Sequence, residues 1–120
     1  MIIYLATPYS HPSAEIREMR WRISCEVAAW AMRQGHTVFC PIAHSHPIAA
    51  YLPEDLLLSH SFWMNQDLPL LAKADTVWVY PCDAADVSRG VAREIKEAKR
   101  LGIPIRLISH DEVGQLLDKP

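Results

Sequence analysis

The sequence predicts a single three-layer α/β domain over residues 1–120: a flavodoxin-like, doubly wound parallel sheet of four to five strands. Three observations predict it. Short β-rich runs alternate with longer stretches of helical periodicity, and strands joined by helical crossovers must pair in parallel. The strand runs are apolar throughout instead of alternating, as happens when helices cover both faces of a sheet. Finally, 120 residues (13.6 kDa), half of them hydrophobic and 22% charged, can fill one core and no more.

The elements follow in order. Ile2–Ala6 is a compact apolar strand. Ser13 offers an N-cap to a helix in which Ile16, Met19, Ile23, Val27 and Trp30 recur at helical spacing, and Gly35 stops it. His36–Cys40 is a second strand ended by Pro41. Residues 41–61 hold three prolines and three histidines and read as an ordered loop with at most a helical turn. A helical pattern returns over residues 62–74, and Thr76–Tyr80 (T-V-W-V-Y) is the clearest strand. Pro81–Val87 is a polar loop, Ser88–Leu101 a helix stopped by Gly102, Ile103–Ile108 a strand, and Asp111 to Leu117 a short final helix. Ligands bind beyond the carboxyl ends of the strands in such sheets. Thr7–Pro12, Pro41–Pro47, Pro81–Gly90 and the start of the last helix are therefore expected to converge on a site.

Composition excludes several functions. The charge sum is 12 − 14 = −2 with no block of five like charges, which argues against a nucleic acid polymer as partner. No apolar run reaches the ~18 residues of a spanning helix, and the first residues carry neither a basic region nor a long apolar one, so neither membrane nor export is expected. Cys25, Cys40 and Cys82 are widely spaced without a C-x-x-C pair, as in a reduced, cytoplasmic protein. A-T-P-Y-S follows the first strand with no glycine, and neither a dinucleotide fingerprint, a P-loop nor a G-x-S-x-G elbow occurs.

Two carboxylates stand where apolar residues belong. In the third helical stretch Val91, Ile95, Ala98 and Leu101 define the apolar stripe; at about 100° per residue from Val91, Glu94 falls near 300°, inside it. Arg93, Lys96, Glu97 and Arg100 take the opposite face. A carboxylate against an apolar wall has a raised pKa and serves as nucleophile or acid/base, unless it merely pairs with an arginine or reaches water at the stripe's edge. Asp67 repeats the anomaly among Leu70, Leu71 and Ala74; alternatively it caps a helix starting at Leu68, with Pro69 in its first turn. Two inward carboxylates suit a glycosidic bond. Ser88 is an N-cap, and with the helix start and Gly90 it could also seat a phosphate, which Arg20 or Arg89 could neutralise. His44 and His46 follow the second strand and could hydrogen-bond a ligand, while Tyr9 and Trp63 could stack on a flat base.

Y-L-A-T-P-Y-S (Tyr4–Ser10), the D-x-x-x-L-x-x-A-D-x-V-W-V run (Asp67–Val79) and S-x-G-V-x-x-E-I-x-x-A (Ser88–Ala98) together resemble the nucleoside 2-deoxyribosyltransferase superfamily. Within it the chain looks most like a branch of short bacterial proteins that carry the H-S-H-P-I element (His44–Ile48). The resemblance spans nearly the whole chain. It implies a flavodoxin-like fold and cleavage of a base–sugar bond by a glutamate, which motif position places at Glu94. It also implies that Asp67 lies near the sugar hydroxyls and that Tyr4–Ser10, with Thr7, Pro8 and Tyr9, closes over sugar and base. Transferases of free nucleosides carry an aspartate where this chain has Ser88, whereas hydrolases of nucleoside 5′-monophosphates carry a phosphate-contacting serine there. Thr7 occupies a place often held by glycine, and the end Leu117-Asp118-Lys119-Pro120 lacks the asparagine tail of some transferases.

The sequence therefore points to a nucleoside or nucleoside 5′-monophosphate as small-molecule partner, with Glu94 attacking C1′ and no metal or organic cofactor required. Two rivals stand beside it: a non-catalytic nucleotide or nucleotide-sugar binding module, and a metal-dependent hydrolase built on His44, His46 and Asp67. Trp21 and Trp30 on one long helix point to a homo-oligomer, as does the resemblance.

Overall fold

Parallel pairing sets the frame. The computed structural model describes residues 1–83 and 88–117. Its sheet contains β1 (Ile2–Ala6), β2 (Thr37–Phe39), β3 (Thr76–Val79) and β4 (Ile105–Leu107) in the order β2-β1-β3-β4. All neighbouring pairs are parallel, with Tyr4 opposite Phe39 on one side and Val77 on the other. The helices are α1 (Ala14–Arg33), α2 (Pro41–Ala49), α3 (Glu54–Leu57), α4 (His60–Leu71), α5 (Arg89–Leu101) and α6 (His110–Leu117). Strand alternation sorts the core into two halves. Ile3, Leu5, Trp78 and Tyr80 pack with Val27, Trp30 and Ala31 of α1 and Val113 of α6. Tyr4, Ala6, Val77 and Val79 pack with Leu71 of α4 and with Val91 and Ala98 of α5. That is the three-layer α/β arrangement the sequence predicts, with four strands among the described residues.

Local chemistry explains the helix ends. Ser13, Ser59 and Ser88 each accept a hydrogen bond from a backbone N–H three residues on, satisfying one orphan donor of α1, α4 and α5. Gly102, at φ 71°, closes α5 in the left-handed conformation that side chains disfavour.

The segment 41–61, expected as a loop, is largely helical. Pro41 occupies the first turn of α2, where its missing N–H costs nothing. Pro47 lies inside α2 and removes the N–H that would bond the Ala43 carbonyl. The Trp21 indole N–H donates to that carbonyl instead, at 3.4 Å. Trp21 and Trp30, the pair behind the expected oligomer, are both used within the chain: Trp21 on α2, and Trp30 in the core at 3% exposure. α4 begins at His60, capped by Ser59, so Asp67 lies in its interior and is not a cap. Leu70 and Leu101, counted into the apolar stripes, are exposed. Glu97, expected on the open charged face, is buried beneath two arginines: Arg100 binds both its oxygens at 2.8 and 2.9 Å, and Arg93 lies 3.5 Å away. These cations hold its carboxyl down at about 2. Residues 84–87 of the expected Pro81–Val87 loop, and the 118–120 end, lie outside the described residues. Among the described residues no helix is long and apolar enough to cross a membrane.

Candidate active site

Alternation along β1 turns Tyr4 toward the α4–α5 layer, and the inward stripe of α5 brings Glu94 down onto the same face. The Tyr4 phenol donates to Glu94 Oε2. Glu94 is only 4% exposed. Burial raises its pKa to about 8; the Tyr4 hydrogen bond opposes that shift, and the nearby Asp67 charge adds to it. Asp67, on the inward face of α4, is 5% exposed, and burial lifts it to about 6. The Asp67 carboxylate has no hydrogen-bond partner among the described residues. Burial, then the charges of Glu94 and Asp67, push the Tyr4 pKa upward, so its hydroxyl stays a donor.

Both carboxylates open into a cavity of 440 Å³ at the carboxyl ends of the strands, in the size range of small-molecule sites, about 300–1,000 Å³. It lies beside β1 and β3, where the strand order reverses. Four segments form most of its wall, and Arg20 of α1 and Leu58 complete it. Thr7, Tyr9 and Ser10 follow β1; Pro41, Ile42, Ser45 and His46 come from α2; His60, Trp63, Met64 and Asp67 come from α4; Ser88, Arg89, Gly90 and Glu94 come from α5. The start of the last helix, expected at the site, is replaced there by α4: the His110 ring bonds Tyr80 at 2.9 Å and lines no part of the cavity.

The other expected residues have these places. Thr7 is buried; Ser24 donates to the Arg20 carbonyl at 2.7 Å, so the Thr7 hydroxyl, 2.7 Å away, is the donor to Ser24 Oγ. Pro8 is fully buried and shapes the loop without lining the cavity. Arg20 lines it but is engaged, its Nε 2.9 Å from Asp83 Oδ1 and its Nη1 2.9 Å from the Ser10 carbonyl. It ties the first loop to the β3–α5 connection, where Cys82 takes the left-handed φ of 54° that turns the chain. Ser88 caps α5 with its hydroxyl 3.2 Å from the Val91 N–H, and Arg89 lines the rim. An added Cβ on Gly90 would meet Met64 at 3.7 Å, ordinary contact, so packing alone does not demand glycine there. His44 and His46 part company because α2 is a helix: two residues apart, they lie about 200° around it. His46 faces the cavity, whereas His44 is exposed beside Phe39, ring centres 5.8 Å apart. A metal site joining His44, His46 and Asp67 is therefore not assembled, and no other cluster of three metal-ligating side chains occurs among the described residues.

Such a constellation can be compared with known proteins. The model of a family described as a domain of unknown function, DUF1937, matches residues 1–110. The chain belongs to the DUF1937 family. Among curated proteins no sequence matches it. The structure of the 2-deoxyribosyltransferase of the psychrotolerant bacterium Bacillus psychrosaccharolyticus, a biocatalyst for nucleoside synthesis, is similar at a TM-score of 0.62 and 25% identity. The likeness covers 97% of this chain and 82% of that one. The DUF1937 chain is thus similar to the nucleoside 2-deoxyribosyltransferase superfamily along nearly its whole length.

Sequence reasoning missed three features of this DUF1937 site. Tyr4 was legible as strand and as the start of the segment the resemblance places over the sugar, but not as the partner of Glu94, although a buried phenol usually needs one. Ser45 and Ile42 lie in the Pro41–Pro47 segment expected at the site, but the loop reading of α2 did not single them out. His60 gave no signal before the Ser59 cap placed it one residue into α4.

Proposed function

We propose that the protein cleaves the N-glycosidic bond of a nucleoside or nucleoside 5′-monophosphate through a covalent intermediate on Glu94. One observation carries the reading: a buried carboxylate that a phenol donor holds in place, beside a second carboxylate without a hydrogen-bond partner among the described residues, in a cavity of nucleotide size. The Glu94 carboxylate attacks C1′ as the C1′–N bond breaks; the bonding pair leaves with the base, which takes up a proton. Water, or the nitrogen of a second base, then attacks C1′ and releases Glu94. Two displacements retain configuration at C1′.

Each neighbour has a task in this scheme. Tyr4 orients the carboxylate by its hydrogen bond. Asp67 accepts from the sugar hydroxyls and, as an anion, stabilises the positive charge growing on the ring. Ser88, the α5 amino terminus and Arg89 form the end of the cavity suited to a 5′-phosphate. Ser88 in place of an acid favours the phosphorylated substrate and hydrolysis over base exchange.

The test is a panel of nucleosides and 5′-monophosphates assayed for free base by chromatography. The wild type releases base from at least one, and Glu94→Ala releases none while its circular dichroism is unchanged. Equal turnover by the variant overturns the proposal, and thermal stabilisation by nucleotides without any base release would make the protein a binding module.

A further inference from the structure

The α2 wall holds a group whose proton is placed by its neighbours. His46 lies in a triad of rings: the Tyr9 hydroxyl is 2.7 Å from its Nδ1, and its plane stacks on Trp21 with centres 4.7 Å apart and an angle of 25°. Trp21 is itself fixed by the Ala43 carbonyl that Pro47 leaves free. The imidazole can hardly turn. Either partner could donate in the Tyr9–His46 bond, and the surroundings decide. The Arg17 guanidinium, bound to the His11 and Pro12 carbonyls, sits beside the Tyr9 phenol and favours an oxygen that accepts. The phenol proton therefore turns to Nδ1, and the ring proton sits on Nε2. Burial lowers the ring's pKa; Glu18 opposes the shift and Arg17, a smaller effect, adds to it, which favours the neutral ring. Nε2 has no partner among the described residues, and it belongs to a side chain that lines the cavity.

Position says what that donor meets. α2 follows β2 and the α5 amino terminus follows β3, with β1 between those strands, so they flank the cavity from opposite sides. With the cationic Ser88–Arg89 end taken by phosphate and C1′ at Glu94, the α2 side is left for the base. There Ile42 offers an apolar surface beside His46. We propose that His46 is the base-reading residue: its Nε2–H, held in that tautomer by Tyr9, donates to a ring nitrogen or carbonyl oxygen on the edge of a heterocyclic base. The assignment rests on the glycosidase reading above and names the group that bonds the leaving base. As the base departs with the bonding pair, its acceptor becomes more basic and the hydrogen bond strengthens, so the contact favours cleavage as well as recognition.

Two measurements test it. Long-range ¹H–¹⁵N spectra of the wild type read the tautomer; Nε2–H is expected, and Nδ1–H overturns the proposal. Calorimetry with free purine and pyrimidine bases then compares the wild type, His46→Gln and His46→Phe. Glutamine keeps a donor near the Nε2 position and stays within about threefold of the wild type, whereas phenylalanine keeps only the stack and loses about tenfold, the worth of one hydrogen bond. Unchanged base affinity in His46→Phe, with its melting temperature intact, refutes the assignment. In turnover, His46→Phe slows release of a natural base about tenfold more than release of 4-nitrophenol from a 4-nitrophenyl riboside, whose leaving group needs no such donor; equal losses make His46 structural and overturn the proposal. A wild type that releases no base, yet binds free bases in a His46-dependent way, overturns the glycosidase reading and upholds this one.

Discussion

Replacing Glu94 with glutamine is expected to stabilise the fold in alkali. An ordinary glutamate titrates near 4.5, whereas burial raises Glu94 to about 8. Between those values the folded chain keeps a proton that the unfolded chain has lost, so stability falls as pH rises. The slope is ~1.4 kcal/mol per pH unit, and across that window the loss reaches about 5 kcal/mol. Glutamine keeps the shape, still accepts from the Tyr4 phenol through Oε1, and cannot ionise. Above pH 8 the Glu94→Gln protein therefore exceeds the wild type by up to about 5 kcal/mol, and near pH 4.5 the two lie within ~1 kcal/mol of each other. Asp67, raised by burial to about 6, gives both proteins a similar slope at lower pH that largely cancels in the difference. Urea unfolding followed by tryptophan fluorescence at several values from pH 5 to 9 measures it. A constant offset between the two stability curves, or a glutamine variant weaker at pH 9, would refute the reasoning.

Three further outcomes are expected. Because the nucleophile must be ionised, kcat/KM for base release climbs about tenfold per pH unit below about 8 and levels above it; a profile flat from pH 6 to 9 contradicts this. Tyr4→Phe removes the hydrogen bond that opposes the rise in Glu94, so the inflection moves to higher pH and the rate at pH 7 falls roughly tenfold; an unmoved inflection counts against Tyr4. Trp21→Phe orphans the Ala43 carbonyl and costs on the order of 1–2 kcal/mol in urea unfolding, and adding Pro47→Ala, which restores a helical N–H to that carbonyl, recovers part of it; no recovery removes the pairing from the account.

What the sequence made legible was whatever obeys one periodicity at a time. The central strands β1 and β3 stand out because helices cover both faces and leave unbroken apolar runs, whereas the edge strands β2 and β4 are shorter and partly exposed. Glu94 stands out because α5 carries charges everywhere else on its open face, so one acid in the stripe is conspicuous. α2 was illegible for the opposite reason. Its helix carries Pro47 inside it, and Trp21, 22 residues before Ala43, supplies a donor in place of the missing one; no local pattern carries that information. The places of several candidate site residues follow from this. With 41–49 read as a loop, His44 and His46 looked equivalent; as a helix, one faces the cavity and the other solvent. Arg20 looked like a phosphate ligand because its partners, Asp83 and the Ser10 carbonyl, are joined to it only by the fold. Glu97 looked exposed because a helical wheel does not show how Arg93 and Arg100 fold back over it.

The central claim is that C1′ of the sugar becomes bonded to Glu94. A 2-fluorinated nucleoside or nucleotide, whose fluorine slows breakdown of the intermediate more than its formation, tests it directly when the treated protein is digested and its peptides are weighed. One added fluorosugar, with or without its phosphate, is expected on the peptide containing Glu94, and none after Glu94→Gln. A substrate whose base is released while every peptide keeps its mass, or an adduct on another residue, would contradict it.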